Sequence, residues 1–212
     1  PAPLRFGQLV DRFKAIAAAF PDKRTGSNTQ YSMEDIALSA FAVFFTQSPS
    51  FLAHQADMLK SKGTSNAQTL FHIGDIPSDS HIRDTLDPVA PETLFPAYDM
   101  VYEALEAQGI LNTLTGVNGT RLIALDGTWY FSSDKIHCEN CSSIGHRTGK
   151  VTYYHSAVTP VIVGPGQPYA IPLRPEFITP QDGHDKQDCE TAADKRCLET
   201  KAANYDNGNL TL

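Results

Sequence analysis

Two groups of side chains in this sequence have the types and spacing for chemistry. The first is Asp126. Residues 121–125 (RLIAL) read as a short apolar strand that ends in Asp126-Gly127. Such an ending delivers a carboxylate to a strand edge with a tight turn behind it. The structural alternative is a turn aspartate that hydrogen-bonds locally. The second group is His137, Cys138, Cys141 and His146, an H-C-x-x-C-x4-H pattern. Thiolates this close suit tetrahedral zinc, with His146 or His155 completing the set. The alternative is a pair of free thiols in a loop. A thioredoxin-like redox role fits less well, because no clear helix follows the motif. His155 itself lies in a strand pattern (YYHSA), where a strand histidine is the simpler account.

A third cluster, Asp182, Asp185, Asp188 and Glu190, precedes and enters the last helical segment. Acidic residues favour the positive first turn of a helix. The functional alternative is a carboxylate beside a metal, and Glu176 in a nearby loop is a further candidate. Cys189 and Cys197 share an apolar helical face with Ala193 and read as buried, inert thiols.

The elements that must position these residues fall into two stretches. Phe6, Leu9, Val10, Phe13, Ile16, Ala17 and Phe20 recur at helical spacing before Pro21. Ser32 and Asp35 then give an S-x-x-D start to a helix over 33–45 that is apolar nearly all round. Further helices are expected over 51–60, over a short stretch holding Ile82, Arg83 and Leu86, and over 96–108, with Gly109 at its C′ position. Beyond Asn118 the pattern turns extended. Strands are expected over 121–125, through Trp129 and Phe131, over 151–163 with Pro160 marking a bulge or edge, and over 168–173. A helix over 185–203 and a strand starting near Leu210 follow. Three sequential strands joined by short turns are most easily antiparallel. A crossover helix then lets the next strand lie parallel to the first. The expected class is α+β, with a helical domain over 1–117 and a sheet domain over 118–212.

Composition bounds the function. The 212 residues carry 17 Lys+Arg against 24 Asp+Glu, a formal net charge of −7. Residues 1–120 hold 8 basic and 13 acidic side chains, and residues 121–212 hold 9 and 11, so neither stretch is basic. No basic stripe of the kind that neutralises phosphates stands out. Four cysteines are too few for a disulfide scaffold. The longest apolar run, near Ile36–Phe45, is half of the roughly 20 residues a membrane span needs. No secretory signal is seen.

A family resemblance sharpens these readings. The stretch LIALDGTWYFSSDKIHCENC resembles the first catalytic segment of DDE-type transposases of bacterial insertion sequences. The likeness continues in YYHSAVTPVIV, IPLRPEFITPQDG and KQDCETAADKR, and in the front half in YSMEDIALSAFAVFFTQSPSFLAHQ, NAQTLF and IPSDSHIRDTLDPV. It implies a ribonuclease-H-like catalytic domain, here an incomplete mixed sheet with a flanking helix, behind a helical N-terminal domain. It implies that Asp126 is the first catalytic acid and a ligand of Mg²⁺ or Mn²⁺. The second and third acids would follow the fourth strand, so the 212 residues are expected to be an inactive fragment. The intact enzyme would cut and join DNA at mobile-element ends as a homo-oligomer in the bacterial cytoplasm, at the nucleoid. His81 and Arg83, at the start of the short helix after a Pro-Ser turn, are the candidate DNA contacts in a helix-turn-helix arrangement. A non-catalytic DNA-binding or dimerising remnant is the alternative. A hydrolase of another phosphate ester is a third, since fold alone does not fix substrate.

Overall fold

The computed structural model describes residues 5–26, 29–61, 66–116, 119–180, 188–205 and 210–211. The chain is mixed α and β and divides into two compact units, Pro1–Val101 and Tyr102–Leu212.

The first unit is helical. Its helices are α1 (Phe6–Ala18), α2 (Met33–Phe45), α3 (Phe51–Lys60), α4 (Asn66–Phe71) and α5 (Asp79–Leu86), followed by a 3₁₀ turn at Pro91–Leu94 and the start of α6 (Phe95–Ala107). Serines begin three of them. Ser32, Ser50 and Ser78 accept from the backbone N–H groups of Asp35, Ala53 and His81, which satisfies one otherwise orphaned donor in each first turn. Glu34 and Asp35 add negative charge at the start of α2. That helix ends in a Schellman pattern: Ser48 N–H donates to Val43 O and Gln47 N–H to Phe44 O, with Gln47 at φ 53°. The core joins Val10, Leu38, Ala42, Met58, Phe71 and Ile73. A neighbouring cluster packs Ala17, Phe20, Met33 and Ala37. The apolar run of α2 is not wholly buried, because Phe44 is 72% exposed.

The second unit holds the strands. They are β1 (Arg121–Ala124), β2 (Gly127–Ser133), β3 (Ser142–Gly145), β4 (Val151–Val158), β5 (Val161–Val163), β6 (Ile171–Pro172), β7 (Glu176–Ile178) and β8 (Leu210–Thr211), with α7 (Glu190–Tyr205) before the last. One sheet has the order β6-β5-β1-β8, and the other runs β2-β4-β3 with β7 also on β4. β1 pairs antiparallel with β5 and parallel with β8. β4 pairs antiparallel with β2, β3 and β7.

Three chain segments, β1–β2, β4–β5 and β6–β7, run through both sheets, while β3 and β8 belong to one sheet each. Only Leu125 and Asp126 separate β1 from β2, and only Thr159 and Pro160 separate β4 from β5. Thr159 N–H donates to Asp126 O at 3.0 Å, so the two breaks lie side by side. Pro160 cannot donate to a ladder, which is why the expected strand over 151–163 is two. Taking β1–β2, β4–β5, β6–β7 and β8 as the four segments, and setting apart the short β3, which pairs with β4, the order is third, second, first, fourth. The first three are antiparallel, and the fourth is parallel to the first.

The end of α6 and a 3₁₀ turn at Ile110–Leu114 cover one part of the strands. Tyr102, Leu111 and Leu114 bury against Ile123, Ile162 and Leu173. Thus residues 102–116, read from sequence with the helical stretch, pack with the strands. Gly109 (φ 71°) makes the left-handed turn between them, as its type suggests. Arg121 ties β1 to α6 through Tyr102 Oη (2.8 Å) and both Glu106 oxygens (2.6 and 2.7 Å). Ala193 of α7 joins Val158 and Ile178 in a smaller core. Among the described residues no helix is long and apolar enough to cross a membrane.

Candidate functional sites

Asp126 lies at the break between β1 and β2 and is exposed. Its main-chain carbonyl bridges to Thr159, while the side chain stands outside the ladder. A second carboxylate lies near. A methyl on Gly127 would come within 2.5–2.8 Å of the Glu190 carboxyl atoms, so Glu190, at the first turn of α7, rests on the glycine next to Asp126. A depression of about 350 Å³ opens here, lined by Gly127, Trp129, Ser156, Asp188 and Glu190 among others. Trp129, 52% exposed, stacks on Tyr154 at 4.1 Å between ring centres.

Asp188 has a different task from the helix cap or metal ligand its sequence position suggests. Its carboxylate accepts from Thr179 N–H (3.0 Å), Cys189 N–H (3.0 Å) and both terminal nitrogens of Arg196 (2.8 and 2.9 Å). Arg196 also donates from Nε to Glu176 at 2.9 Å. Burial works against the Asp188 charge. The Arg196 and main-chain hydrogen bonds outweigh it and hold the carboxyl below its usual pKa. With its oxygens so engaged, Asp188 fastens α7 to β7, and Glu176 shares that role. Asp182 and Asp185 lie outside the described residues. Cys189 is exposed rather than buried, whereas Cys197 is buried as expected.

A set of two hard cations roughly 3.5–4 Å apart needs several carboxylates. Among the described residues no three acidic side chains bring ligand oxygens together. Asp126 and Glu190 therefore supply part of such a set at most, and two-metal chemistry does not fit the described residues alone.

The thiols give the one group of three metal-type ligands among the described residues: Cys138, Cys141 and His155. The two sulfurs are 3.8 Å apart, and each lies 3.3 Å from His155 Nε2. β-pairing explains the choice of histidine. Ser142 faces Tyr154 across β3 and β4, so Cys141, one residue earlier, comes level with His155. Phe131 faces His155 on the other side. His146 is not in the group: it sits past the end of β3, with Nε2 2.8 Å from Thr152 Oγ1. His137 stacks on Tyr153 at 4.2 Å. Burial, with the neighbouring Cys138 thiol adding to it, pushes the Cys141 thiol up.

His81 and Arg83 stand on α5 in the first unit. His81 is half-buried, its ring 5.9 Å from that of Tyr31. Arg83 is exposed but pairs with Asp79 one turn back at 2.7 Å. Arg83, in the last turn of α5, is therefore a paired arginine rather than a free cation at the helix start. Spacing left His155 as one of two options and gave no sign of Arg196, because their partners lie on distant segments. No protein-family model matches the chain, and neither does any curated protein or solved structure.

Proposed function

We propose that this chain is part of a DDE-type DNA transposase, with Asp126 as the first acid of a ribonuclease-H-like catalytic domain. One observation carries the reading. The strand segments run third, second, first, fourth, antiparallel except for a parallel fourth, and an exposed aspartate interrupts the first. A right-handed crossover through α7 between the third and fourth segments suits that order. The intact enzyme would cut and join DNA at mobile-element ends with Mg²⁺ or Mn²⁺, which supplies Lewis acidity at the phosphate when bound. Within this chain Asp126 offers oxygens at an open strand break, and Glu190 adds a neighbouring negative charge. The remaining acids of the set are not among the described residues.

The test is a cleavage and strand-transfer assay on labelled element ends, using the product of the complete gene. Asp126→Asn should lower the rate at least about a hundredfold, about 2.7 kcal/mol of barrier. It should shift unfolding by no more than about 0.5 kcal/mol, because the side chain is exposed. Equal rates for wild type and D126N would overturn the reading. So would DNA processing that is unaffected by chelating divalent cations.

A further inference from the structure

The strongest unassigned chemistry in the molecule is the sulfur and imidazole trio of the second unit. We propose that Cys138, Cys141 and His155 bind one zinc ion, with water as the fourth ligand, and that this ion pins the loop after β2 to β4. The proposal is independent of any action on DNA.

The distances carry it. Zinc bonds to sulfur at about 2.3 Å and to histidine nitrogen at about 2.0–2.1 Å in tetrahedral sites, so two sulfurs should lie ~3.8 Å apart and sulfur and nitrogen ~3.5 Å apart. The observed separations are 3.8, 3.3 and 3.3 Å. They outline one face of such a tetrahedron. A disulfide would need the sulfurs near 2.05 Å, so the pair is arranged as two separate donors. The main chain is shaped to match. Cys141 N–H donates to Cys138 O at 3.2 Å, and Cys138 N–H donates to Cys141 Sγ at 3.3 Å, a bond that favours the thiolate a metal needs. His155 is held between strands, stacked with Tyr130 (5.8 Å, 14° between planes) and against Phe131. Its ring is thereby oriented before any ion arrives. Two thiolates and a neutral imidazole also cancel the charge of Zn²⁺, so the loaded site is neutral.

The loop has need of such a fastener. Residues 134–140 are all exposed, and Ile136 is 70% exposed. In the described contacts of this loop, the Ser133 hydroxyl accepts from Lys135 and Ile136 N–H, His137 Nδ1 lies 3.3 Å from Lys135 O, the two cysteines hydrogen-bond to each other, and His137 stacks on Tyr153. Little apolar burial holds it otherwise, and a metal linking positions 138, 141 and 155 joins the loop to a strand.

Elemental analysis of the protein purified under reducing conditions tests this directly. About one equivalent of zinc is expected in wild type and in His146→Ala, and less than about a tenth in the Cys138→Ser/Cys141→Ser double variant and in His155→Ala. Those variants can lose the metal through misfolding, so the second measurement uses wild type alone. Reduced apoprotein titrated with Co²⁺ should develop intense thiolate-to-cobalt absorption that saturates at about one equivalent and disappears when Zn²⁺ is added. Absence of that absorption in fully reduced wild type would overturn the site. Loss of zinc in H146A with retention in H155A would overturn the ligand assignment.

Discussion

Arg196→Met should cost the second unit a large share of its stability. The Asp188 side chain is 1% exposed, and two of its four hydrogen bonds come from Arg196. Methionine keeps much of the stem packing and removes the guanidinium. The carboxylate would then be a buried charge with only the Thr179 and Cys189 N–H groups to hold it. Removing one partner of a buried pair costs about 3–5 kcal/mol. The Arg196 side chain is 37% exposed, so solvent screens part of the interaction, and about 2–3 kcal/mol is the expected loss. Trp129 is the only tryptophan, so urea unfolding followed by its fluorescence reports on this unit.

The pH dependence has a definite sign. In wild type the folded pKa of Asp188 is lowered. Its contribution is therefore present above the unfolded carboxyl value and is lost as pH falls through the folded one. Without Arg196, burial dominates and raises the folded pKa. The penalty of R196M should be full near pH 7 and shrink as acid protonates the variant's Asp188. Asp188→Asn in the R196M background should recover part of the loss, with a coupling of at least about 1 kcal/mol. A loss below about 0.5 kcal/mol, or a penalty that stays constant into acid, would refute the view that these residues form a buried charge pair.

Glycine substitutions should separate two kinds of close approach. A methyl on Gly164 would lie 2.8 Å from Leu114 Cα, a backbone atom, so Gly164→Ala should destabilise by about 1–3 kcal/mol in the same fluorescence assay. Gly127→Ala meets only the movable end of Glu190 and should cost less than about 1 kcal/mol; equal costs would show that Glu190 is rigidly held. In the first unit, Gln47→Gly should stabilise by about 0.5–1 kcal/mol, because Gln47 pays a left-handed penalty that glycine escapes, offset by the freer unfolded chain. Helical circular dichroism in urea measures this, and any destabilisation counts against it. His54 is buried, with Nδ1 2.9 Å from Ser48 Oγ, and burial lowers its pKa against the pull of Asp57. The first unit should therefore be stable above the ordinary histidine value and lose stability as pH falls below about 6.5. His54→Gln should flatten that slope, and an unchanged slope would place the acid sensitivity elsewhere.

Local chemistry made the helical unit readable. Ser32, Ser50 and Ser78 cap helices whose starts the sequence marks, and Gly109 takes the left-handed turn its type suggests. The extended segments were legible as segments, including a last strand parallel to the first. Their subdivision was not. β3 and β7 have four and three residues, too short for an alternating pattern to stand out from loop. The sites followed the same division. A Cys-x-x-C pair announces itself within four residues, but the choice between His146 and His155 depends on which residue faces Cys141 across a ladder. Asp188 looked like a helix-start acid because Arg196 is eight residues away, and Glu176 twenty, so nothing in the spacing ties the three together.

The break at Asp126 shows how one residue can serve the fold and a site without conflict. The carbonyl of Asp126 receives Thr159 N–H, which keeps the first and second segments paired across both breaks. Pro160, having no N–H, forces the second segment to break where the first does. The carboxylate is thus freed from any part in the ladder, and being exposed it carries no burial energy that a substitution would forfeit. Gly127 extends the arrangement: lacking a side chain, it lets Glu190 of α7 approach the strand beside the depression. A cation held by the folded unit and not by the unfolded chain stabilises the fold. Hence Mg²⁺ or Mn²⁺ should raise the unfolding midpoint of the second unit in wild type, and less so in D126N or Glu190→Gln. A midpoint indifferent to divalent cations in all three proteins would count against a cation site at this strand break.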